Sequence, residues 1–259
     1  MFPFCTLLNC ESDNVSHMRQ IVTHLVILQQ RKAQIMKEAT VQGGKDLRIR
    51  NEMEKIVPTY DTYMRRITMG RERTLRERTI TLAGIKTGDA VLEVGCGTGT
   101  LTLAAKRRAG PSGKVCGIDL IPAMIEKSRQ KAKEANQDIL FQAGSIENLP
   151  FPDNQFDVVM CSFMIFHMSD GVRSKGIQEI YRVLKPQGRL LLIDLTLPPY
   201  RFSRFIAGRI LSWVGEDDLH ELLPLMETTG FSEVEIAPVK FRILGISILS
   251  YVIGYAGKE

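Results

Sequence analysis

The sequence predicts an α/β protein built around a parallel sheet, and three observations support this fold class. Short apolar runs alternate with stretches of helical spacing from about residue 90 onwards, as in repeated strand–helix units. The run 91–94 leads into a turn with three alternating glycines, and the run 115–118 leads into a carboxylate. With 259 residues and 44% hydrophobic content, the chain suits one sizeable core and is too short for two comfortable domains.

The stretch 91–99 is the element around which the rest of the chain is organised. Gly95, Gly97 and Gly99 stand where the backbone needs unusual angles and a ligand approaches closely. A helix that begins near Thr100 points free N–H groups at the same place, so the pattern predicts a nucleotide-type site. A dinucleotide fingerprint needs a glycine where Thr100 stands, which disfavours a nicotinamide oxidoreductase.

Two carboxylates flank this turn. Glu93 precedes the first glycine by two residues, and Asp119 closes the next apolar run. Both would lie at the carboxyl ends of neighbouring parallel strands, where an open sheet binds its ligands. One carboxylate can bind a ribose diol, and the other can lie near a methionine-like ammonium.

The remaining elements follow from periodicity and from stop signals. A helix over 101–108 is expected to end at Gly110 and Pro111, and Pro224 is expected to bend or break a helix that opens near Asp217 and ends at Gly230. The other predicted elements are strands at 114–119, 139–143, 156–161 and 189–195, helices at 17–38, 120–135 and 172–184, and two closing antiparallel strands near 233–241 and 247–255 that a short turn joins into a hairpin.

Four motifs follow one another in the chain: the glycine turn, Gly117–Asp119 with Pro122–Ile125, Leu149–Val159, and Val183–Leu191. In this order they resemble the class I S-adenosylmethionine-dependent methyltransferases, nearest to the group of the ubiquinone and menaquinone C-methyltransferases. The resemblance covers roughly residues 58–235. Each motif alone is a weak signal, and four in register are a strong one.

The resemblance implies a Rossmann-like seven-stranded sheet of order 3-2-1-4-5-7-6, with the last strand antiparallel and helices on both faces. It implies S-adenosylmethionine as the cofactor and S-adenosylhomocysteine as the product. The methyl group would be transferred to an oxygen, nitrogen or carbon atom of a small, hydrophobic or aromatic molecule. Residues 1–55 are then an N-terminal helical extension, and residues 56–259 are the methyltransferase domain.

The resemblance also supplies candidate cofactor residues. Tyr60 belongs to a tyrosine–aspartate pair on a segment that folds over the cofactor, with an anchoring aromatic as the alternative. Met124 would lie where an adenine face could be, although core packing explains it nearly as well. Ser145 stands where the family usually carries an aspartate, and the backbone N–H of Ile146 would read the adenine ring. The complete predicted set is Tyr60, Glu93, Gly95, Cys96, Gly97, Gly99, Asp119, Leu120, Met124, Ser145, Ile146 and Cys161.

One candidate general base lies in the loop after the fourth strand. His167 stands where the resembled family often carries histidine, and the loop would flank the reactive methyl group. A structural histidine is the alternative. Phe166 precedes it where many relatives show a second histidine, so a double-histidine site is absent.

Three segments outside the motifs carry further expectations. The helix over 17–38 is amphipathic and packs on the domain or forms a dimer or membrane contact. The run 71–78 is charged and reads as a solvated helix face with i,i+4 pairs. The insertion 198–213 has apolar residues at helical spacing and would cover the substrate or pack on the body.

Composition narrows the function classes. The net charge of +5 and the isoelectric point near 9.0 come from residues spread along the chain, which favours a small molecule over nucleic acid. The five cysteines form no C-x-x-C pair, so neither disulfides nor a zinc site is expected. A reducing, cytoplasmic compartment is expected instead. The apolar tail 243–257 is shorter than the roughly 20 residues of a spanning helix, so no stable membrane insertion is expected.

Two alternatives to a methyltransferase remain at this point. The first is a scaffold that binds the cofactor without turnover, and the second is the nicotinamide oxidoreductase.

Overall fold

A computed structural model describes residues 51, 53–165, 168–195, 219–243, 246–247 and 249–258. Its strands form at the apolar runs of the sequence. These strands are β1 (Ala90–Val94), β2 (Lys114–Asp119), β3 (Leu140–Ala143), β4 (Phe156–Ser162), β5 (Leu184–Leu195), β6 (Phe231–Pro238), β7 (Arg242–Ile243), β8 (Ile246–Ser247) and β9 (Leu249–Ala256). Within that part of the chain, one seven-stranded sheet has the order β3-β2-β1-β4-β5-β9-β6, and β7 pairs with β8 separately. Strands β1 to β5 pair in parallel, and β9 is antiparallel to both β5 and β6. The predicted fold class and strand order are confirmed.

The described part of the chain also contains six α-helices, three of which connect consecutive parallel strands. They are α1 (Tyr60–Ile67), α2 (Glu72–Ala83), α3 (Thr100–Ala109), α4 (Pro122–Glu134), α5 (Asp170–Val183) and α6 (Leu222–Thr229), with 3-10 turns at Val57–Thr59 and Leu219–Glu221. Helix α3 ends at Gly110, whose φ is 74°, and Pro111 follows, as the sequence predicts. Helix α4 begins with Pro122, whose missing N–H costs no hydrogen bond at a first helical position.

The central strands are buried on both faces. In β1 the neighbouring residues Val91 and Leu92 point to opposite faces, and both are 0% exposed. Val158 and Val159 of β4 show the same pattern. Near-continuous apolar runs are typical of parallel strands covered on both sides, which places the carboxyl ends of β1, β2 and β4 on a rigid frame.

Three sequence predictions about elements were wrong. Strand β5 begins at Leu184 rather than Arg189, because Leu184 already pairs with Phe156 across an irregularity in the ladder. Pro224 does not break α6, because it is the third residue of the helix, where its N–H would have no intrahelical partner. The closing strands are not joined by a simple short turn, since β7 and β8 lie between them.

Several predictions concern residues outside the described part, namely the helix 17–38, the insertion 198–213, Phe166 and His167. The described residues all belong to one compact unit, which spans 49–196 and 216–259. The domain boundary at residue 56 stays a prediction. None of the described helices has the length and apolarity needed to cross a membrane.

Candidate cofactor and active site

The glycine turn joins β1 to α3 at the carboxyl edge of the sheet. Gly95, Gly97 and Gly99 have φ values of 72°, 53° and 77°, a region that residues with a side chain rarely adopt. The N–H groups of Gly95 and Cys96 donate to the carbonyl oxygen of Ile118 at 2.8 and 3.0 Å, which fastens the turn to β2. Any residue with a side chain would therefore strain the backbone at these three positions.

Two side chains lie against this turn. A Cβ atom added at Gly95 would be 2.2 Å from Sδ of Met164, and one added at Gly97 would be 3.6 Å from the ring of Tyr60. Met164 belongs to the loop after β4, and Tyr60 begins α1. Burial raises the pKa of Tyr60 to about 12, so its hydroxyl stays protonated at neutral pH. The structure thus brings the lid candidate Tyr60 onto the glycine turn.

Asp119 forms the second wall of the site. Its Oδ2 accepts a hydrogen bond from the N–H of Gly97 at 2.8 Å, and its Oδ1 accepts one from Ile121 at 2.9 Å. Burial raises the pKa of the Asp119 carboxyl, and these two N–H groups act in the opposite direction. A carboxylate offers about four lone-pair positions, so two remain for a ribose diol.

Glu93 is buried beneath the turn. The side chain of Thr102 on α3 donates to its Oε2 at 2.5 Å. Burial raises the pKa of Glu93 to about 7, although the hydrogen bond from Thr102 and the positive charge of Arg76 oppose the rise. A small change in its surroundings therefore decides whether Glu93 carries a charge at neutral pH.

A polar network ties α1 to the turn. Asp61 Oδ1 accepts hydrogen bonds from Thr98 Oγ1 at 2.6 Å and from Lys131 Nζ at 2.9 Å. Lys131 Nζ also donates to the hydroxyls of Thr98 and Thr100 at 2.8 and 3.1 Å. Burial alone would raise the pKa of Asp61, but the hydrogen bonds from Lys131 and Thr98 hold it below its ordinary value. This network fixes the helix that carries Tyr60.

The adenine candidates lie around the ends of β2 and β3. Leu120 is 48% exposed, whereas Met124 is buried against Val57 and Ile121 with Tyr60 at the edge of the cluster. This contact favours the core-packing alternative for Met124. The Ser145 hydroxyl accepts a hydrogen bond from the N–H of Glu147 at 3.2 Å and shapes its own loop.

The remaining candidates differ in how they are placed. Ile146 is buried, and a Cβ added at Gly176 of α5 would lie 2.7 Å from its Cδ1 atom, so its side chain serves packing. Cys96 and Cys161 are buried thiols whose pKa burial raises well above the ordinary value. They stay protonated and are unsuited to act as nucleophiles or bases. Among the described residues, no group of acidic, histidine or cysteine side chains could hold a metal ion.

Sequence reasoning missed four residues at this site: Asp61, Arg76, Lys131 and Met164. Asp61 had a signal in the sequence, because it directly follows Tyr60 in the tyrosine–aspartate pair of the resembled family. Arg76 was taken for part of a solvated face, yet it is 8% exposed. The pairs Arg73–Glu77 and Arg76–Glu72 are i,i+4 contacts as predicted, but only the first is on the surface.

Comparisons with known proteins agree with this geometry. Residues 91–188 match the family model described as a methyltransferase domain. The chain is 35% identical over 214 residues to a demethylmenaquinone methyltransferase of Listeria welshimeri serovar 6b, which covers 73% of this chain and 90% of the relative. It belongs to the class I S-adenosylmethionine-dependent methyltransferases. The methyltransferase is also 30% identical over 231 residues to a demethylmenaquinone methyltransferase of Geobacillus sp. (strain WCH70), covering 79% of this chain and 97% of the relative.

A solved structure supports the fold of the methyltransferase. An S-adenosylmethionine-dependent methyltransferase from Aquifex aeolicus superposes with a TM-score of 0.61 at 22% identity, covering 78% of this chain and 98% of that one. The cofactor is S-adenosylmethionine. The residues present fit it, because the glycine turn lets the protein backbone approach a ligand closely and Asp119 has two free lone-pair positions for a ribose diol. The nicotinamide oxidoreductase and the scaffold without turnover receive no support.

Proposed function

We propose that this methyltransferase methylates a quinol-type, hydrophobic aromatic acceptor. The observation that carries the methyl-transfer part of the proposal is the convergence of the glycine turn, Asp119 and Tyr60 at one end of β1, beside the loop after β4. The two relatives described above carry the name demethylmenaquinone methyltransferase and match most of this chain. Their name supports an acceptor with a fused aromatic ring.

The chain's own residues bind and position the reactants. S-adenosylmethionine supplies an activated sulfonium methyl group. Asp119 would hold the ribose diol, Glu93 the ammonium, and the N–H of Ile146 with the loop at Ser145 the adenine edge. Tyr60 and Met164 lie over the turn, so closing them over bound reactants would exclude water. Fixing two reactants in line in a dry site can supply most of the acceleration.

In the transfer step a general base is needed only if the quinol hydroxyl arrives protonated. The ring proton at the methylated carbon leaves afterwards, when the ring becomes aromatic again. Tyr60, with a pKa of about 12, and Cys161, with its pKa raised by burial, both stay protonated at neutral pH. His167, outside the described residues, therefore remains the candidate. A His167→Ala variant should lose turnover while keeping cofactor affinity, and a fully active variant would reduce His167 to a packing role.

The experiment has two stages that test cofactor and acceptor separately. Titration calorimetry with S-adenosylmethionine, S-adenosylhomocysteine and NAD should show binding of the two sulfur nucleotides alone. In separate incubations the enzyme then receives S-adenosylmethionine with a ring-unsubstituted naphthoquinol or with a catechol. The naphthoquinol should be methylated at a ring carbon, as identified by mass spectrometry and NMR, and the catechol should stay unmethylated. Methylation of the catechol hydroxyl instead would overturn the quinol acceptor while leaving the cofactor assignment intact.

Asp119→Asn is expected to weaken cofactor binding by about 1.5–3 kcal/mol, the range for a hydrogen bond to a charged group. The amide keeps one acceptor oxygen but cannot satisfy both Gly97 and Ile121 and a ribose diol. Asp157→Asn is the matched control, because Asp157 also accepts a backbone N–H, from Ala90 at 2.8 Å, near the opposite end of the sheet. Calorimetry should show unchanged affinity for the control. Equal affinity of wild type and Asp119→Asn would remove the ribose assignment.

Compartment and assembly complete the proposal. The buried thiols of Cys96, Cys116 and Cys161 support a reducing, cytoplasmic compartment. A homodimer through residues 17–38 and the absence of a nucleic-acid partner rest on the sequence. Size-exclusion chromatography with light scattering on the full chain and on a chain lacking residues 1–48 would test the dimer.

A further inference from the structure

Helix α4 carries two lysines that reach the start of α1. Lys127 Nζ donates hydrogen bonds to the carbonyl oxygens of Val57 and Pro58 at 2.8 and 3.1 Å. One helical turn later, Lys131 Nζ lies 2.9 Å from Oδ1 and 2.8 Å from Oδ2 of Asp61. Residues four apart lie on the same side of a helix, so both ammonium groups hold the same short stretch of chain.

The two helices joined in this way differ in how firmly they are packed. Helix α1 has eight residues, of which only Met64 is fully buried. A helix shorter than about 12 residues is at best marginally stable alone, so the position of α1 depends on its contacts. Helix α4 buries four residues, Met124, Ile125, Ser128 and Ala132. It is therefore the anchored element, and its two lysines hold the weakly packed α1.

The contacts of Lys131 also reach the glycine turn. Its Nζ donates to Thr98 Oγ1 at 2.8 Å, within the turn, and to Thr100 Oγ1 at 3.1 Å, where α3 begins. A Cβ atom added at Gly97 would lie 3.6 Å from the ring of Tyr60. One ammonium group thus joins α4, the turn and α1 at the place where Tyr60 lies over the turn.

The ion pair between Asp61 and Lys131 is open to water on one side. Their side chains are 41% and 26% exposed, and both line a cleft of about 290 Å³ together with Thr100. An ion pair that water reaches is screened by salt and is weaker than a buried one. This contact can therefore open without unfolding the sheet below it.

We propose that Lys127 and Lys131 are positioning residues that hold α1 over bound S-adenosylmethionine, and that opening of the Asp61–Lys131 pair lets the cofactor exchange. The inference rests on the proposed role of Tyr60 in closing over the reactants. The two lysines touch neither reactant and act through Tyr60.

The rate at which S-adenosylhomocysteine dissociates tests this role without any acceptor. In surface plasmon resonance on the full chain, Lys131→Met should speed dissociation about 5- to 10-fold, between the effect of an exposed ion pair and that of a buried charged hydrogen bond. Added salt should speed dissociation from the wild type and leave the variant nearly unchanged. An unchanged rate in Lys131→Met would overturn the proposal. Failure of the wild type to bind would overturn the cofactor site and the proposal with it.

Lys133→Met is the matched control. Lys133 lies on the same helix and is exposed, and its side chain has no hydrogen bond or ion pair among the described residues. The control loses the same charge and should keep the wild-type dissociation rate. If Lys131→Met folds poorly, Lys127→Met gives the same test, because it removes the second contact and leaves the glycine turn untouched.

A Tyr60→Ala background separates a positioning role from support of the glycine turn. Without the tyrosine ring, holding α1 in place no longer covers the cofactor, so Lys131→Met should add little to the dissociation rate. Residues that act through one another give such non-additive effects. Independent, multiplying effects of Tyr60→Ala and Lys131→Met would contradict the proposal and leave Lys131 a support of the turn.

Discussion

Gly99→Ala is expected to lower the free energy of unfolding by about 3 kcal/mol. A left-handed residue with a side chain costs roughly 1–2 kcal/mol, and Gly99 has a φ of 77°. Its Cβ would also lie 2.8 Å from Cβ of Ser128 and 2.9 Å from Cζ of Phe141. Both neighbours are buried, at 0% and 2% exposure, so neither can move away freely, and overpacking of this kind adds roughly 1–3 kcal/mol.

Urea denaturation followed by circular dichroism measures this loss, and Gly70→Ala separates its two causes. Gly70 has nearly the same φ, 74°, but nothing lies within 4 Å of an added Cβ. The control should therefore show the backbone cost alone. If both variants lose the same stability, the packing of the glycine turn against α4 and β3 contributes nothing.

The sheet could be predicted from the sequence because its signals are local. Each central strand is a short apolar run, and the glycines, Gly110 and Pro111 mark where elements begin and end. The start of β5 could not be predicted this way, because Pro186 and Gly188 suggest a turn while the pairing of Leu184 with Phe156 is decided across the sheet. Pairing between distant segments overrode the local signal there.

The site residues also differ in whether a local sequence motif could predict them. Gly95 and Asp119 follow from motifs in consecutive residues, whereas Lys131 meets Asp61 across 70 positions and has no signal of its own. Arg76 did have a signal that the charge of its neighbours hid. It lies three, four and seven residues before the buried Thr79, Ile80 and Ala83, so helical periodicity places it on the core side of α2.

The second large expected effect is a loss of stability as the pH rises from about 4.5 to 7, caused by Glu93. Its ordinary pKa is 4.5 and the folded value is about 7, so between these limits the folded state holds a proton that the unfolded state has released. Stability falls with rising pH wherever the folded state binds more protons. Since one pKa unit corresponds to about 1.4 kcal/mol, Glu93 removes roughly 3 kcal/mol over this window. Glu93→Gln keeps an acceptor for Thr102 and cannot ionise, so its unfolding free energy, measured in urea at several pH values, should fall less steeply than that of the wild type.

The same group links cofactor binding to protons. An ammonium beside Glu93 favours the ionised carboxylate and lowers its pKa, so binding of S-adenosylmethionine near pH 7 should release a fraction of a proton, and affinity should rise with pH. Calorimetry in buffers of different ionisation enthalpy counts that proton, and the release should vanish in Glu93→Gln. Parallel stability curves for wild type and Glu93→Gln would mean that Glu93 titrates normally. Binding without proton release, in a protein whose stability does depend on Glu93, would place the ammonium elsewhere.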